Sequence, residues 1–132
     1  MNTFLAFPDF AKSARVLDYR RLGKQRVECL QLLNALSGKT KGWVNHPAAK
    51  MWRGYEMALA AYKNACILEW ISRGYKNTME LSVITPYTLP PWFGDPDLHE
   101  SHQSNLLRKD PKFYGPIFPG VPDDFEYFWP TP

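Results

Sequence analysis

The chain has 132 residues, 45% of them hydrophobic, 15% aromatic and 22% charged, with a formal net charge of +3. This length points to one compact domain, residues 1–132, which buries roughly two-thirds of the surface its unfolded chain exposes, and argues against a two-domain enzyme. The apolar and aromatic content excludes a disordered solvating tail, and no apolar run reaches the roughly 18 to 20 residues of a bilayer-spanning helix.

The opening stretch, Met-Asn-Thr-Phe-Leu-Ala-Phe, is too short and is followed too soon by Asp9 to read as a signal peptide. A cytoplasmic protein is expected. The first helix is predicted from about Asp9 to Ser37, with Asp9 or Ser13 as N-cap, Gly38 as the stop and an irregularity near Gly23. On a helical wheel Phe10, Ala14, Leu17, Leu32, Ala35 and Leu36 share one side, which is the core-facing sector. Four polar residues interrupt that sector, Asp18, Arg21, Gln25 and Glu28, spaced so that they form one line along the helix. Charges in such a line either open into a cleft, form a paired network, or mark a helix that rolls its middle turns toward water. Lys12, Arg15, Arg20, Lys24 and Arg26 stand on the flanks of the line.

A short connection, residues 37–44, contains Gly38-Lys39-Thr40. It lacks the upstream glycine of a phosphate-binding loop and follows a helix instead of a strand, so a nucleotide P-loop is excluded. The second helix is predicted over residues 46–73, with Asn45 as N-cap, Pro47 in the first turn and Gly74 just past the end, where Tyr75 can pack back on Trp70. Met51, Trp52, Tyr55, Leu59, Tyr62, Cys66 and Trp70 recur at helical spacing, a stripe that suits the core better than a base-stacking platform. Cys29 and Cys66 lack CxxC spacing and read as small buried hydrophobes.

The last third differs. Ten of the twelve prolines and ten of the twenty aromatic residues lie in residues 86–132, which predicts an extended segment wrapped over the helices and anchored by its rings. One shorter helix is predicted there, Asp97 to Lys109. His99 and His102 share its face, and with His46 or Asp95 their spacing would permit a metal; the absence of a second carboxylate at ligand spacing favours hydrogen-bonding or phosphate-facing histidines, followed by Arg108 and Lys109. The expected fold class is therefore all-α: two long helices, a shorter third, and the wrapped C-terminal segment. No metal and no cofactor is expected, and a monomer is favoured.

The net charge conceals a partition. Residues 1–45 carry eight Lys or Arg against three acids, whereas residues 86–132 carry three against seven. A localised basic face is an electrostatic footprint for phosphate-rich partners, or simply a basic solvated helix surface.

Three blocks bear on the choice. Leu17-Asp18-Tyr19-Arg20-Arg21-Leu22-Gly23-Lys24-Gln25-Arg26-Val27, Glu69-Trp70-Ile71-Ser72-Arg73-Gly74-Tyr75 and Pro111-Lys112-Phe113-Tyr114-Gly115 resemble the pyrimidine-dimer DNA glycosylases, a family that includes the bacteriophage endonuclease V enzymes. His46-Pro47, Met51-Trp52-Arg53-Gly54, Pro91-Trp92, Ser101-His102-Gln103 and Arg108-Lys109-Asp110-Pro111 are similar to small bacterial and phage members of it. The resemblance implies a helical domain that binds and kinks damaged duplex DNA and attacks a sugar C1′ with its N-terminal amine, a glycosylase and abasic-site lyase acting through a Schiff base. It implies a helix carboxylate that assists proton transfer, phosphate contacts from Arg15, Arg20, Lys24 and Arg26, and an extrahelical nucleotide.

The chain departs from the family pattern twice. Asn2 stands where the phage enzymes carry the Thr that supplies the amine, which moves the implied nucleophile to Met1. The glutamate that follows the Tyr-Arg pair is replaced by Arg21, or by Gly23 in the alternative register. Asp18 and Glu28 are the carboxylates able to substitute. The candidate catalytic set is accordingly Met1, Asp18, Arg21, Gln25 and Glu28, and the candidate nucleic-acid contacts are Arg15, Arg20, Lys24, Arg26, His46, His102, Arg108 and Lys109. Two other readings remain open: a binding module that keeps the basic face without the chemistry, and an enzyme for a small nucleotide or phosphorylated ligand.

Overall fold

Helices set the architecture of the computed structural model, which describes residues 2–130, and four of them begin at a side chain that accepts from a free N–H of the first turn. Six helices follow in order: α1 (Phe10–Arg15), α2 (Tyr19–Leu36), α3 (Pro47–Trp52), α4 (Glu56–Ser72), α5 (Pro96–Lys109) and α6 (Pro111–Tyr114). The fold is all-helical, with α2, α4 and α5 as its long members. No helix among the described residues is long and apolar enough to cross a membrane.

Each of the two long predicted helices is divided in the structure. The first breaks at residues 16–18. Asp9 caps α1 by accepting from the Lys12 N–H (2.8 Å), and α2 starts afresh from Asp18, whose own N–H takes the Tyr114 hydroxyl oxygen as acceptor at 3.0 Å. Neither glycine nor proline marks this break. It is produced by a contact 96 residues away in sequence and lets Leu17 sink into the core.

The expected irregularity at Gly23 is absent: α2 runs straight through it. Gly23 is a packing residue, since a Cβ there would meet Trp70 Cζ3 at 2.9 Å. The second division falls at Arg53-Gly54-Tyr55, where Gly54 adopts a φ of +89° that an L side chain resists. His46, not Asn45, caps α3, its Nδ1 accepting from the Ala48 N–H at 3.0 Å. Gly74 ends α4 at φ +89°, and the Tyr75 ring closes on Trp70 at 4.4 Å between centroids, as the sequence predicts.

The antiparallel partners α2 and α4 form the main layer, with α1 also on α4 and α5 on α6. Trp52, Tyr62 and Cys66 of the aromatic stripe are fully buried, so the stripe is core. Burial pushes the Cys29 thiol up to about 12 and Cys66 upward as well, which leaves both as inert hydrophobes.

The C-terminal segment lies along α5. Ser104 Oγ accepts from the Phe125 N–H (3.0 Å), Ser101 Oγ from the Phe128 N–H (3.2 Å), and Asn105 Nδ2 donates to the Phe125 carbonyl (3.1 Å). Three hydroxyl and amide side chains on one helix thus do for this proline-rich segment what a neighbouring strand does in a sheet.

Candidate functional site

The least expected element is the first one. Residues 2–6 form an extended segment that is buried, and a buried segment outside helix or sheet needs side-chain partners for its backbone groups. Four helices supply them. From α2, Gln25 Oε1 accepts from the Phe4 N–H (2.8 Å) and its Nε2 donates to the Asn2 carbonyl (2.9 Å). Tyr62 of α4 donates its hydroxyl to the Phe4 carbonyl, and Trp52 of α3 donates its indole N–H to Thr3 Oγ1 at 2.9 Å. From α5, His102 Nδ1 accepts from the Leu5 N–H (2.8 Å), His99 Nδ1 donates to the Leu5 carbonyl (2.7 Å), and Gln103 Nε2 donates to the Ala6 carbonyl (2.7 Å).

This arrangement reassigns two predicted residues. His102 is not a phosphate contact: it is fully buried, and burial drives its pKa down to about 3, so it stays neutral and holds the Leu5 amide. His99 accepts the Gly94 N–H on its Nε2 (2.9 Å), so both of its ring nitrogens are committed to the backbone. Among the described residues no group of three or more His, Cys, Asp and Glu could hold a metal ion.

The N-terminal segment ends against the polar line of α2. Glu28 Oε2 accepts from the Asn2 N–H at 3.3 Å, and Lys24 Nζ lies 3.9 Å from Glu28 Oε1. Around this point opens a cavity of about 430 Å³, lined by Asn2, Phe4, Arg20, Arg21, Lys24, Gln25, Glu28, Lys109 and Tyr127. Four cations therefore face one carboxylate across it, the polarity of a site for an anion. Part of the lining is different in kind: the buried ring of Phe4 and the half-buried ring of Tyr127, 6.3 Å apart between centroids, line the cavity with Asn2.

Six of the predicted residues meet here: Arg20, Arg21, Lys24, Gln25, Glu28 and Lys109. Asp18 does not. It is held by the Tyr114 hydroxyl and by Arg21 Nη1 at 3.1 Å. Burial raises its pKa, but the bonds from Tyr114 and Arg21 outweigh that and hold its carboxyl below the usual range, so it is an ionised anchor.

The other predicted contacts are also placed elsewhere. Arg26 turns to the opposite side of α2, where its guanidinium lies 4.3 Å over the Trp70 ring and donates to Asn77 Oδ1 at 2.8 Å. Arg108 donates to the Phe125 carbonyl (3.0 Å) and to Asn105, fastening the C-terminal segment. Arg15 is exposed at the end of α1, with its carbonyl accepting from Arg73 Nη2 (3.0 Å). His46, half-buried, lies between the rings of Trp43 and Trp129, and burial lowers its pKa. Met1 lies outside the described residues.

Three lining residues were not singled out as site residues from the sequence: Asn2 as a side chain, Phe4 and Tyr127. Phe4 and Tyr127 look like ordinary core and anchor rings in the sequence, since nothing local distinguishes a ring that lines a cavity from one that fills a core. Asn2 carried a signal, a polar residue before an apolar stretch that the fold had to bury.

A sequence-family model described as pyrimidine dimer DNA glycosylase matches residues 1–83. No curated protein and no solved structure matches the chain.

Proposed function

The chain belongs to the pyrimidine dimer DNA glycosylase family, and from that premise we propose that it is a glycosylase and abasic-site lyase that works through its N-terminal amine, with Glu28 as the assisting carboxylate. The observation that carries this reading is the hydrogen bond from the Asn2 N–H to Glu28 Oε2 at the wall of a cation-lined cavity. It sets a carboxylate one residue from the amine the family chemistry needs. Gln25 supports it by fixing the backbone of residues 2 and 4 from the same helix.

The chemistry follows from ordinary properties of the groups. An α-amine titrates at about 7.7 to 8.0, so a useful fraction is neutral near physiological pH without a metal. Its lone pair attacks C1′ of a damaged nucleotide, the glycosidic bond breaks with its electron pair on the base, and the amine proton passes to Glu28. The sugar ring then opens, the C1′–O4′ bond breaking with its electron pair on O4′, which takes the proton from Glu28, and the iminium so formed lets the same carboxylate remove a C2′ proton as the 3′ phosphate leaves by β-elimination. Arg20, Arg21, Lys24 and Lys109 hold the flanking phosphates and neutralise the charge that develops there. The partner is DNA, and the whole chain acts as one unit, since Lys109 and Tyr127 line the same cavity as Asn2 and Glu28.

Borohydride trapping on abasic-site DNA, using protein with a native untagged N-terminus, tests the proposal. A covalent adduct that maps to the first peptide is the expected result. Salt-sensitive DNA binding with no adduct at any pH between 6 and 9 would sink amine catalysis and leave a binding protein.

A further inference from the structure

The stretch that follows α4 plays no part in the cation-lined cavity. Residues 75–90 run without helix, turn or bend, and no charged residue occurs from Leu81 to Gly94, in a chain in which 22% of the residues are charged. Its attachment to the fold fixes which way it faces. The Ser82 N–H donates to Asn64 Oδ1 (2.9 Å), the Ser82 carbonyl accepts from Asn64 Nδ2 (2.8 Å), and Lys63 Nζ donates to Ser82 Oγ (2.6 Å), all three from α4. In an extended chain both backbone groups of one residue point to the same edge and those of the next residue to the other. Residue 82 and every second residue after it therefore turn their N–H and C=O toward the side of α4. Residues 81, 83, 85, 87 and 89 turn theirs to the outer edge.

That outer edge is unused: among the described residues, residues 83–89 make no backbone hydrogen bond. The side chains on it are apolar and exposed, Leu81 by 49%, Val83 by 86%, Tyr87 by 41% and Leu89 by 44%. A free, uncharged, apolar edge is a template for pairing with another strand. Pro86 does not block it, because in this phase its missing N–H belongs to the inner edge. The order of residues along the edge selects the partner. In an antiparallel pairing centred on Thr85, Leu81 stands opposite Leu89, Val83 opposite Tyr87, and Thr85 opposite itself. An aromatic opposite a β-branched residue is a favourable cross-strand pair, and no like charges meet. An edge that complements itself about a two-fold axis is what an isologous contact requires.

We propose that residues 81–89 are the interface of a homodimer, in which they pair antiparallel with the same residues of a second copy about a two-fold axis at Thr85. The odd-numbered residues exchange backbone hydrogen bonds across the axis, and Pro86 falls at a pair that makes none. The paired stretch is roughly 30 Å long, and a two-stranded ribbon of that length holds its partners weakly. The inference stands apart from the glycosylase reading. No residue of this stretch lines the cavity of Glu28 and Lys24, so the dimer carries two such cavities outside its interface.

Sedimentation velocity on the untagged full chain is expected to show a monomer–dimer equilibrium with a Kd on the order of 10–100 μM, as suits a small interface. Val83→Lys removes two symmetry-related pairs with Tyr87 and is expected to raise that Kd by about tenfold; at 86% exposure the position does not bear on folding. Cross-linking then reads the pairing itself. Under diamide, Thr85→Cys is expected to form a covalent dimer, because directly opposed Cα atoms about 5.5 Å apart suit a disulfide. Val83→Cys is more exposed, yet its two copies stand roughly 13 Å apart along the ribbon, so it is expected to cross-link at least about tenfold more slowly. Cys29 and Cys66 are buried and add no background. A wild-type chain that stays monomeric at about 1 mM overturns the inference. So does a dimer that Val83→Lys leaves intact, or equal cross-linking of the two cysteine variants.

Discussion

The two ends of one polar line on α2 behave in opposite ways. At the N-terminal end Asp18 closes on Tyr114 and on Arg21, which also lines the cavity, in an anchor that fixes where α2 begins. Two turns later Gln25 and Glu28 reach the backbone of residues 2 and 4, and the cavity opens beside them. Polar residues at the same helical spacing thus perform a structural task at one end and face a cavity at the other. What separates them is the partner that the fold delivers: a tyrosine hydroxyl from α6 in one case, the start of the chain in the other.

The largest expected effect falls on the open end. Glu28→Gln keeps an acceptor for the Asn2 N–H but removes the base, and is expected to slow adduct formation on abasic-site DNA by roughly a hundredfold to ten-thousandfold, read by single-turnover trapping. Its free energy of unfolding should stay within about 1 kcal/mol of wild type. A rate equal to wild type would erase the contrast between the two ends.

Acid should attack the N-terminal segment on which the open end depends. His102 is neutral when folded, with a pKa lowered to about 3 from an ordinary 6.5. A histidine depressed in the folded state contributes stability that is complete above pH 6.5 and is lost as pH falls from there toward 3. Roughly 3 kcal/mol is expected to disappear between pH 6.5 and 4, measured by urea unfolding as a function of pH, and His102→Asn should flatten that slope.

At the closed end, Asp18→Asn leaves Tyr114 and Arg21 with weaker partners and is expected to cost about 2 kcal/mol of stability, with trapping rates within a few-fold of wild type. Loss of activity without loss of stability would place Asp18 in the chemistry and reverse its assignment. The smallest effect distinguishes cations. Arg20→Ala is expected to reduce the salt slope of DNA binding by about 0.9, one phosphate contact, while Arg26→Ala leaves the slope unchanged because that guanidinium rests on Trp70 and Asn77.

Much of the fold was legible in the chain. The helical spacing within residues 9–37 and 46–73, the proline and ring content of the last third, Gly74 as a stop and Tyr75 returning to Trp70 all act through local geometry or composition; the helices fall within those two stretches, though each stretch is divided in two. The line Asp18, Arg21, Gln25 and Glu28 was legible as well, since helical periodicity alone aligns it. The break at residues 16–18 was not, for neither glycine nor proline stands there and the contact that accompanies it is the Tyr114 hydroxyl. The fates of Arg26, Arg108 and His102 were hidden for the same reason: a charge or an imidazole reads alike in a sequence whether it meets solvent, a ring or a buried amide.

Sequence by itself determined the helical class, the long helices and their apolar faces, and the basic front of the chain, because those properties depend on side chains three or four apart on one backbone. Only the tertiary structure decided that residues 2–6 run buried between helices, that the first residues meet Glu28 and not Asp18, and that Tyr127 reaches the same cavity from the far end of the chain. These are contacts between groups 21 or more residues apart, and no local periodicity encodes them. They arise because buried backbone groups outside helices must find partners wherever the packed helices present them.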